Sequence, residues 1–191
     1  MAQKLIILFG GSCSAKTTTE KFLVENFLCS NLTSMTTRAP RFGEINEVDY
    51  HFVDEFDFNC TEKLNKIEIT PEWLYGVSVS EFMRHQDLDI VYSVINIDLA
   101  IDLINNLRKH NRIKSTIEIV IVNFDIPTED RVKCMKTRGM SDEEIEFRLS
   151  REDPIDSAFD KLINVPNVRY EVYSDSLNPS TQEGICKLIY K

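Results

Sequence analysis

The sequence predicts an α/β chain, a parallel sheet covered by helices on both faces, and three observations point there. A short apolar run at 5–9 ends in Gly10-Gly11 and passes at once into a helix-like pattern. Farther on, apolar and β-branched runs near 90–95, 117–122 and 168–172 alternate with amphipathic stretches of helical period. Between about 34 and 86 that rhythm fails, which marks an inserted α/β subdomain in a core made of 1–33 and 87–191. A length of 191 residues suits one domain carrying such an insertion.

The first element carries the chemistry. Set against the phosphate-binding pattern G-x-x-x-x-G-K-S/T, the chain offers Gly10, four residues, Ala15, Lys16 and Thr17. Only Ala15 departs, standing where the pattern has glycine. The layout has a physical basis. Glycine permits a sharp turn at the end of a buried strand, and the amides of the loop and of the helix start then point at an anion. Lys16 adds a mobile charge for the outer phosphates, and the Thr17 hydroxyl can reach a magnesium ion. The nucleotide-binding segment is therefore Gly10, Gly11, Ser12, Cys13, Ser14, Ala15, Lys16, Thr17 and Thr18. If Ala15 requires φ > 0, its methyl costs about 1 kcal/mol or more. Cys13 reads as a small tolerated side chain.

The remaining elements follow in order. A helix is expected at about 17–27, where Phe22, Leu23 and Phe27 recur at helical spacing. Pro40 and Gly43 make 36–44 a loop. Residues 50–53 alternate like a strand, 54–64 suggest a short irregular helix, and 66–70 another strand ended by Pro71. A turn or strand end is expected at 74–77 and one or two helical turns at 80–86. Then come the strand at 90–95, an amphipathic helix at 99–109, a central strand at 117–122 and a helix at 128–137 interrupted by Gly139. Ser141 and Glu144 form a capping box that opens a helix running toward Arg151 and stopping near Pro154. A strand at 168–172 and a helix at 182–190 complete the chain.

Composition excludes several classes. Hydrophobic residues are 42% and charged ones 28%, the balance of a globular protein. A net charge of −9 argues against nucleic-acid and anionic-membrane partners. Five cysteines without a C-x-x-C pair suggest reduced thiols in a cytoplasmic compartment, with no zinc site. The opening apolar run is too short for a signal peptide or membrane span.

Residues 34–53, SMTTRAPRFGEINEVDYHFV, resemble the nucleotide-monophosphate-binding segment of guanylate kinases, S-x-T-T-R-x-P-R-x-G-E-x-x-G-x-D-Y-x-F-V. The chain matches at Ser34, Thr36, Thr37, Arg38, Pro40, Arg41, Gly43, Glu44, Asp49, Tyr50, Phe52 and Val53, with Glu47 replacing a glycine. The resemblance implies a P-loop kinase fold whose inserted subdomain, about 34–86, binds the acceptor monophosphate. Arg38 and Arg41 supply two forked donors suited to one phosphate, and Tyr50 adds a hydroxyl. The family uses a serine and a glutamate to read guanine. Ser34 matches the first and Glu68 is taken as the second, since a carboxylate can accept from guanine N1–H and N2–H together. Tyr75 resembles a tyrosine that touches the phosphate.

Asn96-Ile97-Asp98 is the nearest fit to the family's Asp-x-Asp, so Asp98 is expected either to contact substrate or magnesium or to cap a helix. Lys136-Thr137-Arg138-Gly139 and the following SDEEIEFRLSRE resemble the family's lid, about 136–152. Arg138 and Arg148 match the arginines that close over the transferring phosphate, with Arg151 and Lys133 weaker matches. An ion pair of Arg148 or Arg151 with Glu144 or Glu152 is the structural alternative.

The resemblance thus implies magnesium-dependent phosphorylation of GMP or dGMP by ATP, by a monomer or homodimer. Lys16, Arg138 and Arg148 would be its catalytic residues. Rivals are a kinase for ribose 1,5-bisphosphate, toward which Val77 after Gly76 leans, a kinase of broader deoxynucleotide choice, and an inactive kinase-like binding domain.

Overall fold

Strand β1 (Gln3–Gly10) is buried on both faces, since Leu5 through Phe9 are all apolar. The computed structural model describes residues 3–95, 97–113, 117–150, 152, 161, 165–174 and 178–190. Asn96, Arg151 and Pro154 lie outside the described residues. In the main sheet β1 is joined by β2 (Cys29–Asn31), β7 (Ile90–Val94), β8 (Ile117–Phe124) and β9 (Val168–Tyr173), in the order β2-β7-β1-β8-β9. All its pairings are parallel.

Period-two alternation sorts the strand side chains between two cores. Leu5, Ile7, Val91, Ile119 and Ile121 face one side, where α4 (Ile97–Lys109) contributes Ala100, Leu103, Ile104 and Leu107. Ile6, Leu8, Tyr92, Val120 and Val122 face the other, with Leu23 of α1 (Lys16–Asn26) and Ile185, Leu188 and Ile189 of α7 (Pro179–Tyr190). Each such aliphatic side chain contributes about 1.5–3 kcal/mol when buried. The chain leaves β1 toward β2 and β7 and later crosses to β8 and β9, so β1 marks the point where strand order reverses. Ligand crevices form at the C-terminal ends of strands at such a point.

A second sheet comes wholly from residues 35–76. It orders β3 (Met35–Thr36), β4 (His51–Phe52), β5 (Ile67–Thr70) and β6 (Trp73–Gly76) as β4-β3-β6-β5. Residues 74–77, expected as a turn or strand end, belong largely to β6, which bonds to β3 on one side and β5 on the other. Alternation lets Leu74 join Met35 and Phe58 in a small core while Tyr75 faces away. Phe58 belongs to α2 (Glu55–Cys60), whose first turn is capped where Asp54 Oδ1 accepts Asp57 N–H at 2.7 Å.

Helix α3 (Val79–Arg84) is capped in the same way by Ser78. It presents the buried carboxylate of Glu81, which accepts Thr33 N–H at 3.2 Å and meets His51 Nε2 at 3.2 Å and His85 Nε2 at 3.1 Å. That carboxylate ties the second sheet to the end of β2.

Helix α4 starts two residues earlier than the expected 99, because Ile97 extends the buried stripe of Ala100 and Ile104 by one turn. Helix α5 (Thr128–Thr137) falls where its pattern places it, and Gly139 follows at φ 79°. In α6 (Asp142–Leu149) both bonds of the expected capping box form, Glu144 N–H to Ser141 Oγ at 3.2 Å and Ser141 N–H to Glu144 Oε2 at 3.0 Å. Helix α7 begins at Pro179, earlier than the expected 182: Asn178 Oδ1 accepts Thr181 N–H at 2.9 Å, and proline suits a first helical turn. No helix of the described residues is long and apolar enough to cross a membrane.

Lys4 is a buried ammonium on β1, and its Nζ donates to Leu188 O at 3.0 Å and Ile189 O at 2.6 Å, carbonyls in the last turn of α7. It closes the helix against the sheet and satisfies two acceptors that the helix itself leaves open. Lys4→Met should therefore lose about 1–3 kcal/mol of unfolding free energy, read as a lower urea midpoint at unchanged slope. A wild-type midpoint would show that α7 is held by its apolar face alone.

Candidate active site

The loop after β1 turns on Gly10 at φ 141°, where a Cβ would meet Ser14 Oγ at 2.5 Å and Phe124 O at 2.8 Å. Ala15 lies at φ 69° and ψ 4°, and Cys13 at φ 59°. The strain anticipated for Ala15 is thus present, and Cys13 shares it, at about 1–3 kcal/mol each. Lys16 Nζ folds back over the loop to Gly10 O at 2.7 Å, Gly11 O at 2.6 Å and Ser14 Oγ at 3.3 Å. Burial lowers its pKa to about 8, helped by the Arg131 charge and opposed by that of Glu152. Thr17 and Thr18 are exposed in the first turn of α1. The Cys13 thiol is pushed up by burial and by contact with Cys134, against the pull of Arg138 and Arg148, which fits a packing role over a reactive one.

Arg38, Tyr50 and Tyr75 are gathered in one cluster. Arg38 is only 4% exposed. Its fork grips Glu44 at 2.8 and 3.0 Å, its Nε donates to Tyr75 Oη at 2.9 Å, and Nη1 also reaches Ala39 O at 2.7 Å. The guanidinium lies over the Tyr50 ring at 5.3 Å, and Tyr50 meets Tyr75 edge-on at 5.8 Å. The Glu44 bond raises the Arg38 pKa above its ordinary value, and the same bond lowers Glu44. Glu44 also accepts Arg41 N–H at 2.7 Å, so one carboxylate positions both arginines of the loop. Ser34 stands at the entrance to β3, where its carbonyl accepts His51 N–H.

Arg41 is exposed and lines a cavity of about 510 Å³ together with Gly10, Gly11, Ser12, Lys16 and Arg148. Phosphate loop, second sheet and α6 therefore meet with three cations facing one space. Arg138, at the end of α5, puts its charge beside Cys13 in the same loop. Arg148 does not draw on the acidic partners considered for it: Glu144 closes the capping box and Glu152 bonds to Ser12 and Arg131.

Two predicted residues stand apart. Glu68 is exposed on β5 opposite Leu74, on the face away from Tyr75. Asp98 lies in the first turn of α4, not at its cap, and pairs with Lys161 at 2.9 Å. A larger cavity of about 560 Å³ opens between α1 and the second sheet, but Glu20, Glu47 and Asp49 line it. Lys21 and Arg84 line it too, and burial raises the Glu20 pKa against the pull of the Lys16 charge.

Among the described residues no cluster of three or more His, Cys, Asp or Glu side chains forms a metal cage. The exposed Thr17 hydroxyl beside the loop suits magnesium, which favours few protein ligands and the oxygens of its substrate's phosphates.

Sequence reasoning missed Arg131 and the position of Glu152. Helical phase was the available signal, because Arg131 in α5 and Arg138 just after it are seven residues, or about two turns, apart.

No protein-family model matches the chain. It is 31% identical over 185 residues to the guanylate kinase of Wolbachia sp. subsp. Brugia malayi (strain TRS), spanning 94% of this chain and 88% of that protein. Against the guanylate kinase of Wolbachia pipientis wMel it is 30% identical over 185 residues, spanning 94% and 86%. The crystal structure of guanylate kinase from Anaplasma phagocytophilum matches with a TM-score of 0.58 at 20% identity, covering 98% of this chain and 85% of that one, a likeness of fold.

Two tests follow from the loop. Ala15→Gly removes a methyl from a left-handed position and should raise stability by about 1 kcal/mol in urea unfolding; a loss of stability would contradict the strain. The half-buried Lys16 ammonium is the form that attracts phosphate, and it loses its proton as pH rises through about 8. Below that pH kcat/KM for the donor nucleotide should be level, and above it the value should fall by about tenfold per unit. A profile flat to pH 10 would show that Lys16 stays charged (about 10.4 being the ordinary lysine value).

Proposed function

The chain belongs to the guanylate kinase family, and from that premise we propose that this nucleoside monophosphate kinase transfers the γ-phosphoryl group of ATP to GMP or dGMP. The supporting observation is the cavity in which Lys16 of the phosphate loop, Arg41 of the second sheet's loop and Arg148 of α6 face one another. Phosphoryl transfer needs positioning and neutralisation of charge, without a covalent intermediate.

In this reading the loop amides and Lys16 hold the donor's β- and γ-phosphates. The neighbouring cavity of about 450 Å³, walled by Phe124, Ile126, Pro127 and Leu149, takes its base. The second sheet is the acceptor-binding subdomain. Arg41 binds the acceptor phosphate from the position Glu44 gives it, and the Arg38–Tyr75–Tyr50 cluster completes that seat. An acceptor phosphate oxygen attacks the γ-phosphorus, the bridging bond to the β-phosphate breaks, and ADP leaves. Magnesium, held by Thr17 and the donor's phosphate oxygens, would neutralise charge on those oxygens. Arg138 and Arg148, carried by the lid of about 136–152, cover the transferring group, and closure excludes water. The compartment consistent with this substrate set is the cytoplasm.

Base choice has a second reading. Glu68 points away from Tyr75, and Val77 offers no hydroxyl after Gly76. The first supports acceptance of other deoxynucleoside monophosphates beside the guanine ones, as does Asn96-Ile97-Asp98 in place of Asp-x-Asp, and the second leans toward ribose 1,5-bisphosphate.

A coupled ADP-release assay with ATP, magnesium and GMP, dGMP, AMP, dTMP, dCMP or ribose 1,5-bisphosphate separates these readings. Turnover of GMP and dGMP is expected. Arg41→Ala should raise the acceptor KM by about 10- to 100-fold through loss of a charge-assisted contact, and Lys16→Ala should abolish turnover. Comparable rates on dTMP or dCMP would establish the broader enzyme. Silence on every acceptor, with no ATP binding, would overturn the kinase.

A further inference from the structure

A carboxylate of the chain itself is seated on the phosphate loop. Ser12 N–H, an amide suited to a phosphate oxygen, donates to Glu152 Oε1 at 2.6 Å. The other oxygen of that carboxylate takes Arg131 Nη1 at 2.5 Å. Arg131 is anchored beside the end of β8, with Nε on Ile126 O at 3.0 Å and Nη2 on Thr128 Oγ1 at 3.2 Å. The pair leans over Gly11, where a Cβ would come within 2.6 Å of Glu152 Oε2 and closer still to Arg131. Glu152 also lines both cavities, the one of about 510 Å³ that holds Lys16 and the one of about 450 Å³ walled by Phe124 and Ile126. It stands at their junction.

Carboxylate and phosphate oxygens compete for the same donors, a loop amide and a guanidinium fork. Two anions at hydrogen-bond distance exclude each other. A nucleotide with its base in one cavity and its phosphates at Lys16 in the other must therefore pass through the place the Glu152 carboxylate holds. We propose that Glu152 is an internal phosphate surrogate, displaced by the donor nucleotide, and that Arg131 then passes from Glu152 to the donor's phosphates as a further catalytic residue. The proposal rests on the kinase reading above. Glu152 N–H also donates to Leu149 O at 3.3 Å, which ties the residue to the end of α6.

Titration calorimetry of the full chain with a non-hydrolysable ATP analogue and magnesium tests this, alongside urea unfolding and GMP turnover. Glu152→Gln should bind the analogue about threefold more tightly or better, while unfolding at lower urea. A merely structural ion pair would weaken both together. Arg131→Gln should weaken binding by about tenfold and lower kcat, and Arg131→Lys should restore part of each. Glu152→Ala replaces Glu152→Gln if the latter does not fold. Unchanged or weaker binding in a folded Glu152 variant, or wild-type binding and turnover in Arg131→Gln, would overturn the surrogate while wild-type turnover of GMP leaves the kinase standing. A wild-type chain that binds no analogue would overturn both.

Discussion

The parallel pairing of β1 between β7 and β8 is the constraint on which everything else rests. Register runs from Lys4 against Ile90 to Leu8 against Val94 on one side, and as far as Gly10 against Phe124 on the other. Both faces of the strand are covered, so its direction and its end point are set before the loop begins. The loop amides then emerge where strand order reverses, at the start of α1, directly after the buried strand. The same packing makes two left-handed non-glycine residues, Cys13 and Ala15, tolerable. A buried strand and a buried helix stripe hold the ends of the loop, and the packing outweighs a few kcal/mol of local strain.

Charge is organised against the average. The chain carries a net charge of −9, yet Lys16, Arg41 and Arg148 converge on one cavity, with Glu144 and Glu152 among them. Acidic residues serve the cationic site by placing its members. Glu44 holds the Arg38 fork and the Arg41 backbone, and Glu152 engages both Arg131 and the loop amide of Ser12. Pairing of this kind keeps neighbouring guanidinium groups from repelling one another, and it fixes side chains that would otherwise sample many rotamers. Arg38 illustrates this: buried and engaged with Glu44, Tyr75 and Ala39, it holds the carboxylate that accepts the Arg41 N–H.

The main sheet was legible because its signals are local and strong. A run such as IEIVIV in β8 has few alternatives to a buried strand, and Ser141 with Glu144 announces α6 through chemistry confined to four residues. The loop was legible because its spacing is dictated by the size of a phosphate. Strand β6 was harder. Trp73 to Gly76 contains a glycine next to aromatic residues and becomes a strand only because β3 and β5, distant in sequence, flank it. The start of α7 carried its cue in Asn178-Pro179, which outweighs the weaker apolar pattern before 182.

The sequence by itself determined the α/β class, the glycine-rich loop between strand and helix, and the close spacing of Arg38 and Arg41. Each depends on residues close along the chain, where spacing and conformational preference suffice. Only the tertiary structure decided which charges share a space. It brought Arg41 and Arg148 to the loop, buried Lys16 enough to lower its pKa, seated Glu152 on Ser12, and left Glu68 and Asp98 elsewhere. Those outcomes depend on distances between separate segments, Ser12 and Glu152 being 140 residues apart, and such distances are set by the packing of two cores.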